Sequence, residues 1–267
     1  TINSVYVLYG YIIGAFVNVV LLGLSASSIL GKNLLSRLGR GFVSIPKIIA
    51  KEYWGILFQT LSVIALFLDK ILVWLWKGMQ AGNGLQIIGS YTTGTFLGLI
   101  PTFSLFGLSH FAEKVRPLSK NMYSGTLDDI QKRVNELKQH YRRNLLITFL
   151  IWLAVFAIVV ILSIFLIRDF TITRTVVLTG VAVLFLETIL FNSIILPIFK
   201  KTYLSTFSML AVCVCVGLSF LFGNSELNLS IGFVVGAFIG FLISHLATMK
   251  QLADFEYNAF RAFQRAD

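Results

Sequence analysis

The stretch ILFQTLSVIALFLDKILVWLW, residues 56–76, decides the fold. At about 1.5 Å of rise per residue, a helix of this length crosses the ~30 Å hydrocarbon core of a bilayer. Asp69 and Lys70 sit side by side within it. An acid and a base are costly in hydrocarbon unless they pair or line a water-filled cavity, so such residues mark a candidate functional site.

The rest of the chain repeats the pattern. Apolar runs of spanning length fall at about 5–24, 53–77, 86–109, 145–167, 175–198, 203–222 and 229–249. The 267 residues are 57% hydrophobic and 13% charged, against about a quarter charged in soluble domains. Backbone N–H and C=O groups must bond internally in hydrocarbon, so these runs are expected to be helices. No strand-like alternation points to a barrel. The expected fold is an all-α integral membrane protein of about seven transmembrane helices, with amphipathic cytoplasmic helices added.

The net charge of +10 is unevenly placed. Segments 25–52, 110–144, 199–202 and 250–267 hold 18 of the 22 Lys and Arg. The opposite-side loops hold Lys77, Arg168 and Arg174, and Lys70 lies within a span. By the positive-inside rule the basic side and the C-terminus are cytoplasmic. The charge reflects topology, and no basic groove with interleaved aromatics points to nucleic acid. Cys213 and Cys215 face different sides of one helix and read as small packing residues.

The expected organisation is a single transmembrane helix (1–24), a cytoplasmic linker (25–51), a six-helix lobe (52–249) and an amphipathic tail (250–267). The odd helix number, the start at Thr1 and the lack of a basic leader fit a fragment or a cut chain. Within the longest polar segment, Thr126 and Asp129 form a capping box. Ile130, Val134, Leu137 and Tyr141 follow as one apolar seam on a charged helix at 126–143. The seam either packs on the transmembrane bundle or docks a cytoplasmic partner.

On a 3.6-residue period Ser62, Asp69 and Trp76 are nearly eclipsed, with Gln59 and Lys70 within about 100°. This polar stripe is expected to face a bundle interior or cavity. Asp69 and Lys70 diverge by about 100°, so the expected partner of each is on another helix. The structural alternative has Lys70 reaching the outer interface beside Trp74 and Trp76, which look like an aromatic belt. Glu187 is a second buried acid, followed by Asn192 and Pro197. It is expected to serve transport or a satisfied interhelical hydrogen bond. His110 and His245 read as structural. Gly232, Gly236 and Gly240 offer a small-residue face for close helix approach, and Gly89, Gly94, Gly98 and Pro101 mark a bendable third span. No HExxH, GxSxG, GxGxxG or Walker motif and no metal-ligand spacing is present, so neither catalysis nor a cofactor is expected.

The segments LDKILVWLWKG (68–78), HFAEKVRPLSKNMYSGTLDDIQ (110–131) and LADFEYNAF (252–260) resemble the C-terminal half of PelG-type exopolysaccharide exporters. That family shares a superfamily with oligosaccharide-lipid flippases and multidrug exporters, and Asp69, Lys70 and Trp74 form the most specific element of the likeness. The resemblance implies two six-helix lobes, of which this chain carries helix six and the second lobe. It further implies the bacterial inner membrane, a hexosamine-rich cationic polymer as cargo, and a cytoplasmic glycosyltransferase and membrane scaffold subunits as partners. The expected function is export of an exopolysaccharide or its lipid-linked precursor by alternating access. Gln59, Ser62, Asp69, Lys70, Trp74, Glu187 and Asn192 would line the cavity. A lipid-linked oligosaccharide flippase, a small-molecule antiporter and a non-transporting scaffold for a glycosyltransferase are the alternatives.

Overall fold

A computed structural model describes residues 53–73, 75–76, 89–120, 125–223 and 225–255. The spans and linkers expected before residue 53, the side chain of Trp74 and the tail beyond residue 255 lie outside the described residues. Every regular element among those described is helical. They are α1 (Tyr53–Val73), α2 (Gly89–Leu99), α3 (Phe106–Lys120), α4 (Leu127–Leu162), α5 (Phe170–Ile195), α6 (Thr202–Phe222) and α7 (Glu226–Ala253).

Five helical segments are long and apolar enough to cross a bilayer: Tyr53–Val73, Asp128–Ile167, Phe170–Phe199, Thr202–Phe222 and Glu226–Ala253. The expected span at 86–109 takes a different form. α2 stops at Leu99, a 3-10 stretch runs from Ile100 to Leu105, and α3 carries on to Lys120. Pro101 is the cause, because proline has no N–H to donate and its ring clashes with the preceding turn. The Thr102 hydroxyl donates to Leu99 O at 2.6 Å, meeting an acceptor at the break.

α4 is one 36-residue helix that merges the expected cytoplasmic helix with the span after it. Thr126 caps it as the sequence predicts: its hydroxyl accepts from Asp129 N at 3.3 Å and Asp129 Oδ2 accepts from Thr126 N at 3.1 Å. A π-turn over Ser163–Ile167 and a left-handed Arg168 (φ 55°) end the segment. Asp169 then caps α5, accepting from Thr171 N at 2.7 Å.

Small residues set the helix contacts. Gly232, Gly236 and Gly240 press α7 on α6, where a Cβ on Gly236 would lie 2.9 Å from the Val212 Cα and one on Gly240 would lie 2.5 Å from the Ser208 carbonyl oxygen. Cys215 lines this seam and Cys213 meets the Leu61 carbonyl of α1 at 3.8 Å, so both cysteines act in packing. Gly94 and Gly98 seat α2 against Thr175 and Thr179 of α5. Phe58, Ala65 and Val73 of α1 join Tyr91, Leu186, Val212 and Phe233 in the central core. Outward faces carry exposed Val63, Phe67, Leu146, Leu150, Val214, Leu218, Val235 and Leu242, as lipid contact requires.

The seam of Ile130, Val134, Leu137 and Tyr141 is fully covered. It packs with Phe111 and Val115 of α3, Phe191 and Ile195 of α5, and Leu252 and Phe255 at the end of α7. Of the two expectations for this seam the structure takes internal packing, and the residues are not open to a docking partner.

Gly217 separates helix propensity from close approach, because nothing lies within 4 Å of a Cβ built there. Gly240→Val is expected to destabilise the protein by about 1–3 kcal/mol through overpacking. Gly217→Ala is expected to be neutral or to stabilise it by up to ~1 kcal/mol. Thermal unfolding of the two variants in one detergent checks the ranking.

Candidate transport site

Three polar centres lie within the helical bundle. The first is built around Asp69 and Lys70, which are 1% and 0% exposed. Lys70 Nζ donates to Asp69 Oδ1 at 3.1 Å and to Leu66 O, one turn back on its own helix, at 2.9 Å. The Tyr91 hydroxyl of α2 donates to Asp69 Oδ2 at 2.9 Å, and Ser230 of α7 lies beside the same tyrosine. Lys70 Nζ also lies 6.0 Å from the centre of the Phe67 ring.

Two expectations are corrected here. Asp69 and Lys70 pair with each other, because the four-carbon lysine stem folds back along the helix and cancels the ~100° divergence of the Cβ directions. Full burial also excludes the route by which Lys70 reaches the outer interface. The expectation of a partner on another helix holds for Asp69, through Tyr91. The stripe is shorter than its periodicity implies: Ser62 bonds its own helix at Phe58 O, 2.8 Å away, and Gln59 is exposed.

The second centre is Glu187 of α5, 2% exposed. Its Oε1 accepts from the Ser104 hydroxyl in the 3-10 stretch after Pro101, and its Oε2 has no partner among the described residues. The third centre joins α4, α5 and α7. Tyr141 donates to Asn192 Oδ1 at 2.6 Å, Asn192 Nδ2 donates to the Ser244 hydroxyl at 3.0 Å, and His245 Nδ1 lies 3.1 Å from the tyrosine oxygen. One hydroxyl proton serves one acceptor, so with it on Asn192 the histidine donates from Nδ1. Glu187, Tyr141 and His245 line one cavity of about 430 Å³ between these helices.

The sequence-predicted residues therefore separate into two groups. Ser230 meets Tyr91 and His245 meets Tyr141, and both lie on α7. The fifteen residues between them, 230 to 245, correspond to roughly 22 Å along the helix. Asp69 and Lys70 thus occupy one end of the bundle, while Glu187 and Asn192 lie toward the other, and no single cavity holds all four. Tyr91, Ser104 and Ser244 were not singled out by sequence. Their one signal is a polar tip in an apolar run, for Ser104 sharpened by Pro101 three residues earlier. His245, read as merely structural, belongs to the third centre. Among the described residues no group of three or more His, Cys, Asp or Glu is placed to hold a metal.

Buried charges and hydrogen-bond networks, enclosed by helices whose outer faces are Leu, Ile, Val and Phe, define a multi-pass helical membrane protein. A family model, PelG, described as "putative exopolysaccharide exporter (EPS-E)", matches residues 2–260, and the chain belongs to this family. No curated protein and no solved structure matches the chain. Membership supports transport as the activity, with bilayer lipid and polysaccharide as the materials involved.

The first centre makes an ordered set of stability predictions. Lys70→Met strands a buried carboxylate and is expected to cost about 3–5 kcal/mol. Tyr91→Phe removes one donor and is expected to cost about 1–3 kcal/mol. The double variant Asp69→Leu, Lys70→Met, which removes both charges, is expected to recover most of the single-variant loss. Thermal unfolding in detergent reads the order, and equal losses for Lys70→Met and the double variant would contradict the ion pair.

Proposed function

We propose that this protein moves an exopolysaccharide, or its lipid-linked precursor, across the bacterial inner membrane by alternating access. The observation that carries the reading is the bent helical segment at 89–120. Its first turn places Tyr91 on Asp69, and its 3-10 stretch places Ser104 on Glu187. A segment bonded to two buried carboxylates and weakened between them by Pro101 is suited to change shape when one of its bonds breaks. Small-residue contacts keep α2, α5, α6 and α7 closely seated around it.

In this reading Asp69 and Glu187 act in turn, at opposite ends of the bundle, on polar sugar groups or on a coupling cation. Lys70 holds Asp69 until cargo or cation displaces it. Oε2 of Glu187, with no partner among the described residues, is the acceptor open to cargo or to a proton. Asn192 and Tyr141 hold the second end closed through Ser244 and His245. The basic side of the chain and its C-terminus face the cytoplasm, where a glycosyltransferase and scaffold subunits would deliver the polymer.

Asp69→Asn and Glu187→Gln keep the size of each side chain and remove its charge. Secreted polymer, measured at matched protein levels, is expected to fall about tenfold or more in each variant, equivalent to ~1.4 kcal/mol on the limiting step. Wild-type secretion from both variants would remove the transport role of the two acids. Recovery of a lipid-linked sugar with the Glu187→Gln protein would identify the precursor as cargo.

A further inference from the structure

The cavity that reaches Glu187 opens sideways. Its walls are Leu146, Phe149, Leu184, Phe185, Phe241 and Met249, of which Leu146, Phe149 and Met249 are exposed on the outer surface of the bundle. In a bilayer, an apolar recess on that surface lies against acyl chains. At its polar end the cavity is lined by Arg142. A second hollow of about 600 Å³, lined by Asn135, Lys138, Gln139, Arg142, Arg143 and Leu146, shares Arg142 and Leu146 with it. The two form one groove along α4, greasy at one end and basic at the other.

Charge and dimensions point to one occupant. The basic hollow has three cationic residues and no acidic one in its lining. Asp128, Lys132 and Glu136 line a third hollow nearer the start of the helix, which shares Asn135 and Gln139 with the basic one, and the excess of positive charge is confined to 138–143. From Arg143 to Phe149 the helix advances roughly 9 Å, so the basic residues sit where the apolar run begins and the apolar walls extend into it. Lys138 and Arg142 are four residues apart and share a helix face. Arginine fits phosphate oxygens through paired N–H donors, and basic recesses between transmembrane helices suit anionic lipid headgroups.

We propose that the groove along α4 binds an anionic phospholipid of the surrounding bilayer. One acyl chain lies in the cavity between α4, α5 and α7, and the phosphate rests on Lys138, Arg142 and Arg143. The site shares Glu187, Tyr141 and His245 with the transport reading as the inner wall of its cavity, but the lipid titration below reads binding without transport. It places a lipid beside Glu187 and the Tyr141–His245 contact.

Titration of the purified full-length protein with fluorescent phosphatidylglycerol and with phosphatidylcholine of the same chains, in the same detergent, tests the proposal. Phosphatidylglycerol is expected to bind at least about tenfold more tightly, with an affinity that falls as salt is raised. Arg142→Gln with Arg143→Gln is expected to weaken phosphatidylglycerol about 25-fold, at roughly fivefold per charge, and to leave phosphatidylcholine unchanged. Both arginines are exposed, so the variant is expected to fold. Leu146→Trp, at the mouth shared by the two hollows, is expected to weaken both lipids. Equal binding of the two lipids by the wild-type protein would overturn the proposal, as would an unaffected arginine variant. Displacement of phosphatidylglycerol by millimolar inorganic phosphate would also overturn it, since the groove would then be an anion site and not a lipid site.

Discussion

A donor or acceptor left unpaired in hydrocarbon has no water to turn to, and this constraint shapes nearly every polar feature of the chain. Hydroxyls within the helices return to their own backbone: Ser62 to Phe58, Thr188 to Leu184 and Ser208 to Leu204. Around Pro101, Thr102 does the same for the acceptor at Leu99. The Asp69–Lys70 pair follows the same rule at higher stakes, with each charge countering the other and Tyr91 filling a further acceptor site. Among the described residues four buried side-chain oxygens depart from this rule, the hydroxyls of Thr92, Ser205 and Thr248 and Oε2 of Glu187, and only the last belongs to an acid.

The second constraint is steric. Lipid chains are as apolar as leucine, so helices gain little by hiding apolar surface from each other and must gain by close contact. That explains why glycines sit where α7 meets α6 and where α2 meets α5. It also explains the inverted surface, with large aliphatic side chains outside and Ala65, Ala182, Thr179, Ser205 and Ala237 buried inside. Aromatic side chains fill what remains. Trp152 stacks on Phe156 at 4.7 Å and reaches the Gly180 carbonyl at 3.2 Å, fixing α4 to α5.

What was legible in the sequence is what depends on a single helix. Runs of apolar residues gave five of the seven expected spans, Thr126 and Asp129 gave the start of α4, and the spacing of Gly232, Gly236 and Gly240 gave a close face. What was not legible depends on a third coordinate. A helical wheel places Cβ atoms and is silent on the lysine stem, so it separated Asp69 from Lys70 where the structure joins them. It put Gln59 on the same stripe as Asp69, although Gln59 lies near the other end of α1 and is exposed. Depth along the bundle is likewise absent from any one helix, so Asp69 and Glu187 read as neighbours in one cavity and are found at different depths. The seam from Ile130 to Tyr141 has the pattern of a docking face, and pattern alone does not show that α3, α5 and the end of α7 already cover it.

The separation of the two carboxylates has a physical corollary. A single cavity lined by both would have to desolvate two acids together, and like charges in low dielectric oppose each other's ionisation. At different depths each is free to hold its own partner set: Lys70 and Tyr91 for Asp69, Ser104 for Glu187. The helical segment that contributes both Tyr91 and Ser104 is the one interrupted by Pro101, and the interruption lies between its two bonds. A straight α-helix would fix the spacing of those bonds rigidly. A 3-10 stretch has poorer hydrogen-bond geometry and a longer rise, so length and direction change there at lower cost than elsewhere in the bundle. The 3-10 stretch thus lies in the one segment that contributes a hydrogen bond to each of these two buried acids.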